Sequence, residues 1–218
     1  MKYPNLSEEK ILWKKDYKTI IGLDEAGRGP LAGPVVAGAV LIKNHKFTIK
    51  DFKGLKDSKK LSQKQRERFY RIITKHLDLK WGIGIVSERV IDRVNILEAT
   101  KLAMTKAVKK LPKTKRFLIL DGIMKLNLAI PQKSIIKGDE KVFSCAAASI
   151  VAKVTRDRIM AKLHEKYPKY RFDLHKGYGT KLHLKMLKRH GLCEIHRKTF
   201  KPCSALPKNK YFVKIKKV

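Results

Sequence analysis

The sequence predicts one α/β domain built on a mixed sheet. Short apolar runs bounded by Gly, Pro or Asp recur along the chain, as buried strands do. Helical patterns lie between and after them, an order that suits a sheet covered by helices. The chain has 218 residues, enough to bury one core without disulfides or structural metals, and it shows no internal repeat or low-complexity linker.

The first strand is predicted at Thr19 to Asp24, the second at Pro34 to Ile42 and the third at Lys80 to Ser87. The fourth is Arg116 to Asp121, and a weak fifth is Lys133 to Ile136. Ser62 and Gln65 form a capping-box pattern, followed by Phe69, Ile72, Ile73 and Leu77 at helical spacing. Asn95 is placed to cap a helix with Glu98 at its third position and Ala99, Leu102, Ala103 and Ala107 behind it. Ser144 opens an Ala-rich helix, Cys145 to Lys162, whose small side chains allow close packing on a sheet. Thr180 to His190 reads as a last helix with Gly191 as its stop. The final stretch, 195–218, has eight Lys or Arg and no acid. It reads as a basic appendage to a domain spanning 1–194.

Charge narrows the function. There are 52 Lys and Arg against 19 Asp and Glu, a net charge of +33. So basic a chain calls for a polyanionic partner, of which nucleic acid is the commonest. The longest weakly polar run, Gly29 to Ile42, holds two prolines and falls short of the ~20 apolar residues of a membrane span. The N-terminal residues carry charge throughout, with no secretory signal, so a cytoplasmic location is expected. Cys145, Cys193 and Cys203 are odd in number and widely spaced, which fits a reducing compartment and not a disulfide framework or zinc knuckle. His183 and His190 are expected on a solvated helix face.

With so few acids, those at strand ends stand out. Asp24 and Glu25 end the first strand, Asp121 ends the fourth before Gly122, and Asp139 follows the fifth in Lys-Gly-Asp. Taken singly, an Asp before Gly is a turn former or helix cap. Taken together, four carboxylates at one sheet edge repel one another unless divalent cations sit among them. Hard oxygen donors suit Mg2+ or Mn2+. Two such ions ~3.5–4 Å apart stabilise the attacking and leaving oxygens of phosphodiester cleavage. Adjacent strand residues face opposite sides, so Asp24 and Glu25 reach one site only if the strand breaks there, with Gly27 and Gly29 making the break plausible. The glycines at 27, 29 and 33 miss the dinucleotide fingerprint by one residue and precede a strand instead of a helix, which argues against a nucleotide cofactor. Arg28 and this glycine loop still suit close approach to a phosphate or sugar. Lys59, Lys60 and the acid-free basic stretch 101–116 are candidate phosphate contacts, Lys59 foremost, although charge runs are usually solvated faces.

Ile21 to Val40, IGLDEAGRGPLAGPVVAGAV, resembles the ribonuclease HII family. The resemblance continues in order through 57–62 (DSKKLS), 120–122 (LDG), 137–139 (KGD), 144–158 (SCAAASIVAKVTRDR) and 175–180 (HKGYGT), spanning about residues 18 to 195. The related type HIII enzymes carry an extra N-terminal domain, whereas here the first motif starts near residue 20. The resemblance implies a ribonuclease H-like fold, a mixed five-stranded sheet flanked by helices, with a helical basic C-terminal region. It implies cleavage of RNA in RNA–DNA hybrids and nicking 5′ to single ribonucleotides in duplex DNA, the first step of their excision. The family's metal-binding acids fall on Asp24, Glu25, Asp121 and Asp139, holding two Mg2+ or Mn2+ ions. Its ribonucleotide-sensing Gly-Arg-Gly falls on Gly27, Arg28 and Gly29, and its sensing tyrosine on Tyr178. From residue chemistry alone, Tyr178 is either a stacking ring or a packed aromatic. Asp157 is expected to pair with a base on its helix, with a peripheral metal contact as the other reading. A monomer is expected. The rival classes are a non-catalytic basic nucleic-acid-binding protein and a ribonuclease H-like nuclease acting on DNA.

Overall fold

The computed structural model describes residues 3–43, 45–113 and 116–206. Helix α1 (Ser7–Lys14) leads into β1 (Thr19–Ala26) and β2 (Val35–Ile42). There follow α2 (Gln63–Lys75), β3 (Leu79–Val86), α3 (Glu88–Lys109), β4 (Arg116–Asp121) and β5 (Gln132–Ile135). The single turn α4 (Gly138–Lys141), the long α5 (Phe143–Lys166), the short α6 (Phe172–His175) and α7 (Lys181–His190) complete the order. The strands form one five-stranded sheet, β3-β2-β1-β4-β5. β1, β2 and β3 pair antiparallel as a meander, while β4 is parallel to both β1 and β5.

Local chemistry sets most boundaries. Ser62 and Gln65 close the expected capping box on α2, Gln65 N donating to Ser62 Oγ at 3.3 Å and Ser62 N to Gln65 Oε1 at 2.8 Å. Asn95 interrupts α3 at φ +68°, and its Oδ1 accepts from Glu98 N at 3.1 Å, restarting the helix as the sequence suggested. The half of α3 before Asn95, and α1, were not anticipated. Thr180 caps α7, and Gly191 at φ +70° ends it.

Helices cover both faces of the sheet. Val36, Val40 and Ile42 pack with Ala147, Ala148 and Val151 of α5. Ile21, Leu23, Val35, Ala37 and Ala39 pack with Ala99, Ala103 and Ala107 of α3. Helix α5 lies unusually close: a Cβ at Gly38 would overlap the Ala148 carbonyl, and one at Gly22 the Ser144 backbone. This close approach brings Ser149 under the end of β1. The basic stretch 101–109 belongs to α3, on the opposite face, so the structure does not bring it to the strand-end acids.

Two expectations need correction. β1 does not break at its acids: it runs on through Glu25 and Ala26, paired with Ala37 and Val36 of β2. Nor are residues 195–206 an appendage. Ile195 and Cys203 are buried in a third core with Tyr170 and Phe172, His196 bridges to Ala32, and Arg197 is wholly enclosed. The regular structure of that stretch, among the described residues, is one 3₁₀ turn at Cys203–Ala205, and 207–218 lie outside the described residues.

Candidate active site

Parallel strands deliver their C-terminal ends to one edge of a sheet. Asp24 lies near the end of β1, Asp121 ends β4, and Asp139 sits in α4, which follows β5 after Lys137 adopts a left-handed turn at φ +57°. The three carboxylates each offer an oxygen within 4.8 Å of the others. Asp121 Oδ1 accepts from Gly138 N at 2.7 Å, tying β4 to the turn that carries Asp139. Asp24 Oδ1 accepts from Glu25 N at 2.7 Å. Ser149 of α5 shares a 2.8 Å hydrogen bond with Ser58. Ser58 opens the 3₁₀ turn of Lys59 and Lys60, which Asp57 caps by accepting from Lys59 N at 2.9 Å. A Lys60–Glu140 ion pair of 2.7 Å clasps this turn to α4.

Burial and mutual repulsion set the electrostatics of the carboxylates. Burial, then Glu25 and Asp121, lifts the Asp24 carboxyl well above the ordinary carboxylate value. Burial, then Asp121 and Asp57, pushes Asp139 up to about 6. Glu25 is raised mainly by burial, with Arg28 opposing and Asp121 adding. The Lys59 pKa is raised too, which for an amine favours the charged form: burial works against its charge, but Asp57, Asp24, Asp139 and Asp121 together outweigh it. Three carboxylates forced together, with oxygen donors only, fit a hard divalent cation. Glu25 stands outside that trio. The pleat turns it to the other face of β1, where it meets Arg28 at 3.4 Å, and it acts on the cluster through charge.

Beside the acids runs the loop from Gly27 to Pro34. Gly27 is held to glycine for two reasons: its φ is +99°, and a Cβ there would overlap the Arg156 side chain. Gly29 has neither reason: its backbone is ordinary and nothing lies within 4 Å of where its Cβ would be. Its missing side chain leaves open surface. The Tyr178 loop docks on this one, Leu31 N donating to Gly177 O at 2.8 Å. Tyr178 is not a core aromatic: it is 40% exposed, its ring 5.7 Å from the Arg156 guanidinium and 5.9 Å from the Lys153 ammonium.

The model of the ribonuclease HII family matches residues 21–203. The chain belongs to the ribonuclease HII family. It is similar to a ribonuclease HII of Chlamydia muridarum (strain MoPn / Nigg), with 52% identity covering 87% of this chain and 85% of the relative. One of Bacillus cereus (strain Q1) is 54% identical over 89% of this chain and 73% of its own length. Among solved structures, the ribonuclease H2 of Pyrococcus horikoshii OT3 superposes with a TM-score of 0.72 at 28% identity, covering 86% of this chain and 96% of that one. Membership makes the chain a metal-dependent endoribonuclease of the ribonuclease H type, on the α/β fold expected for it.

Within this ribonuclease HII fold, Asp157 pairs with Lys153 at 2.8 Å along α5 and is not part of the trio. His183, expected on a solvated face, is fully buried: it stacks on His175 at 4.3 Å and meets His196 at 3.0 Å. Two residues that sequence reasoning passed over are Arg156 and Arg197, both fully buried under the Gly27–Pro34 loop. Arg156 lay inside a quoted motif segment, but Arg197 was hidden among the bases of the last stretch. All three cysteines are buried and unpaired.

Proposed function

We propose that this member of the family cleaves the RNA strand of RNA–DNA hybrids and nicks duplex DNA on the 5′ side of a single ribonucleotide, leaving a 3′-hydroxyl and a 5′-phosphate. The observation that carries the reading is the trio of Asp24, Asp121 and Asp139, three mutually repelling carboxylates from separate elements on a chain of charge +33. In this reading they hold two Mg2+ or Mn2+ ions, with Glu25 contributing charge and a ligand from the adjoining face. Such ions, when bound, lower the pKa of a coordinated water and neutralise charge on the leaving oxygen. The protein's own groups do the rest. Gly138 N fixes the Asp121 carboxylate, and the Ser58–Ser149 pair braces α5 and the Lys59 turn against each other. Lys59, raised by the acids around it, stays charged to receive a backbone phosphate. Gly27, Arg28 and Gly29 bring backbone groups to a 2′-hydroxyl, the donor and acceptor that separates RNA from DNA, and Gly29 leaves the room for it. Tyr178 offers an exposed ring to stack on the sugar or base. The enzyme acts as a cytoplasmic monomer in the first step of ribonucleotide removal during replication and repair.

The test is an end-labelled DNA duplex with one internal ribonucleotide, incubated with Mg2+, Mn2+ or EDTA beside an all-DNA duplex. One metal-dependent nick 5′ to the ribonucleotide, with the DNA control intact, supports the reading. Cutting of the DNA control points to a DNA nuclease. Tight, salt-sensitive binding without cutting points to a binding protein.

A further inference from the structure

Two arginines lie buried side by side beneath the loop that carries Gly27, Arg28 and Gly29, and neither makes an ion pair among the described residues. Arg197 spends its guanidinium on backbone carbonyls. Nε and Nη2 donate to Gly33 O at 3.0 and 2.9 Å, Nη2 also to Gly27 O at 2.6 Å, and Nη1 to Arg28 O at 2.8 Å. Arg156 does the same one step along, Nε donating to Pro34 O at 3.0 Å and Nη2 to Ala32 O at 3.2 Å, while its Nη1 has no partner. A third connection comes from the backbone: Arg197 N donates to Leu31 O at 2.8 Å.

Burying a cation without a counter-charge is costly, and two adjacent ones more so. Burial, then Arg156, brings the Arg197 pKa down to about 9, so it remains charged at neutral pH. A guanidinium offers what no neutral side chain does: a rigid planar fork of donors that holds several carbonyls at fixed spacing. The carbonyls held belong to Gly27, Arg28 and Gly33, which bracket the open surface at Gly29. The same strut reaches Tyr178. His196, next to Arg197, meets His183 at 3.0 Å, and His183 Nδ1 lies 2.9 Å from Tyr178 O. The Tyr178 ring faces the Arg156 guanidinium. Residues 196 and 197 therefore fix the glycine loop and the tyrosine relative to each other.

We infer that Arg197 is a positioning residue for ribose selection, acting through the carbonyls of Gly27, Arg28 and Gly33 and not by touching the substrate. The inference rests on the reading of Gly27–Gly29 and Tyr178 as the ribose-sensing groups. A misplaced loop hurts most where one 2′-hydroxyl must be read, and least on a hybrid that presents one at every position.

The experiment compares wild type with Arg197→Lys and Arg197→Gln on a duplex with a single ribonucleotide and on an RNA–DNA hybrid of equal length, with urea unfolding and the Mn2+-induced shift in Tm measured for each. For folded variants, kcat on the single ribonucleotide falls by about 10- to 100-fold, the scale of a small misplacement at a reacting centre. KM and the Mn2+ shift stay near wild type, and the loss on the hybrid is smaller, so the ratio of the two activities changes. A purely structural role lowers both activities in step with the folded fraction and leaves the ratio unchanged, which overturns the inference. So does unfolding of both variants, which assigns Arg197 to stability. A wild type that does not cut at the single ribonucleotide overturns the functional reading itself, whatever the variants do.

Discussion

Glu9→Gln should make the protein increasingly more stable than wild type as the pH rises. Glu9 comes from α1 and is fully buried against the start of α5, the helix that follows directly on the turn carrying Asp139. Its Oε1 accepts from Ser144 N at 2.9 Å, while Oε2 has no partner. Burial is the main cause that lifts its pKa from 4.5 to about 7. Unfolded, the carboxyl ionises above 4.5; folded, it holds its proton to about 7. The fold therefore bears no penalty below 4.5 and the full penalty above 7. At about 1.4 kcal/mol per pKa unit the full penalty is about 3 kcal/mol, of which about 2 kcal/mol develops between pH 5.5 and 8.5. Glutamine keeps an oxygen for Ser144 N and cannot ionise. Its absolute stability depends on how the new amide packs, but the gap between variant and wild type depends only on the carboxyl. Urea unfolding at pH 5.5, 7 and 8.5 measures that gap, and other titrating groups cancel in it. A gap that stays flat or narrows with rising pH would falsify the assignment of Glu9 as a buried, reluctantly ionised carboxyl.

Asp121→Asn should abolish turnover while keeping duplex affinity, because asparagine still accepts from Gly138 N but lacks the charge. It should also lose most of the Mn2+-induced stabilisation, about 2.7 kcal/mol for wild type at 100 times Kd, read as a Tm shift with and without EDTA. Lys59→Ala should lower the slope of log affinity against log salt by about one, measured on a catalytically silent duplex. An unchanged slope assigns Lys59 to the acids alone. Tyr178→Ala should cut cleavage at a single ribonucleotide more than it cuts duplex binding; equal losses mean a packing role. The buried histidines act oppositely to Glu9: burial, then a neighbouring histidine, lowers His183 from 6.5 to about 4 and His196 to about 3. Their contribution is complete above about 6.5 and is lost as the pH falls, by about 2 kcal/mol per histidine between pH 7 and 5. His196→Asn should flatten that loss in urea unfolding, and a slope as steep as wild type's would place the acid sensitivity elsewhere.

What the sequence made legible is what its chemistry settles over short range. The capping box at Ser62 and the cap at Asn95 join groups three residues apart, so their residue types announce them. The strands showed because both faces of this sheet are covered and the runs are apolar without alternation. The acids showed because they are scarce. The break expected between Asp24 and Glu25 failed in an instructive way. The pleat rule held without a break: β1 stays paired through Glu25, whose carboxylate meets Arg28 at 3.4 Å. Long-range partners left no signal. Glu9 meets a backbone amide 135 residues away, and Arg197 meets carbonyls 164 to 170 residues away. Backbone partners have no residue identity to read, and one more arginine in a chain of 52 bases is invisible by composition.

Two departures from ordinary folding rules flank the same loop. On one side Asp24, Asp121 and Asp139 crowd their charges together; on the other, Arg156 and Arg197 bury theirs without a counter-ion. Each alone weakens the fold, and a sequence selected only for stability would remove both, as hydrophobic groups of similar volume commonly replace buried charge at no loss. The two sets do not neutralise each other, because the arginines spend their donors on carbonyls and the acids face the sheet edge. Their proximity is therefore not an ion-pair network. Sites where local rules fail together are where function is expected, since stability lost there is recovered elsewhere in the core. The loop between them carries an outward glycine with nothing opposite its missing side chain. A substrate backbone entering there would meet carboxylates prepared for cations on one side and a loop held rigid from beneath on the other. Under the proposed reading, that arrangement puts cutting and choosing onto two sets of residues that mutation can address independently.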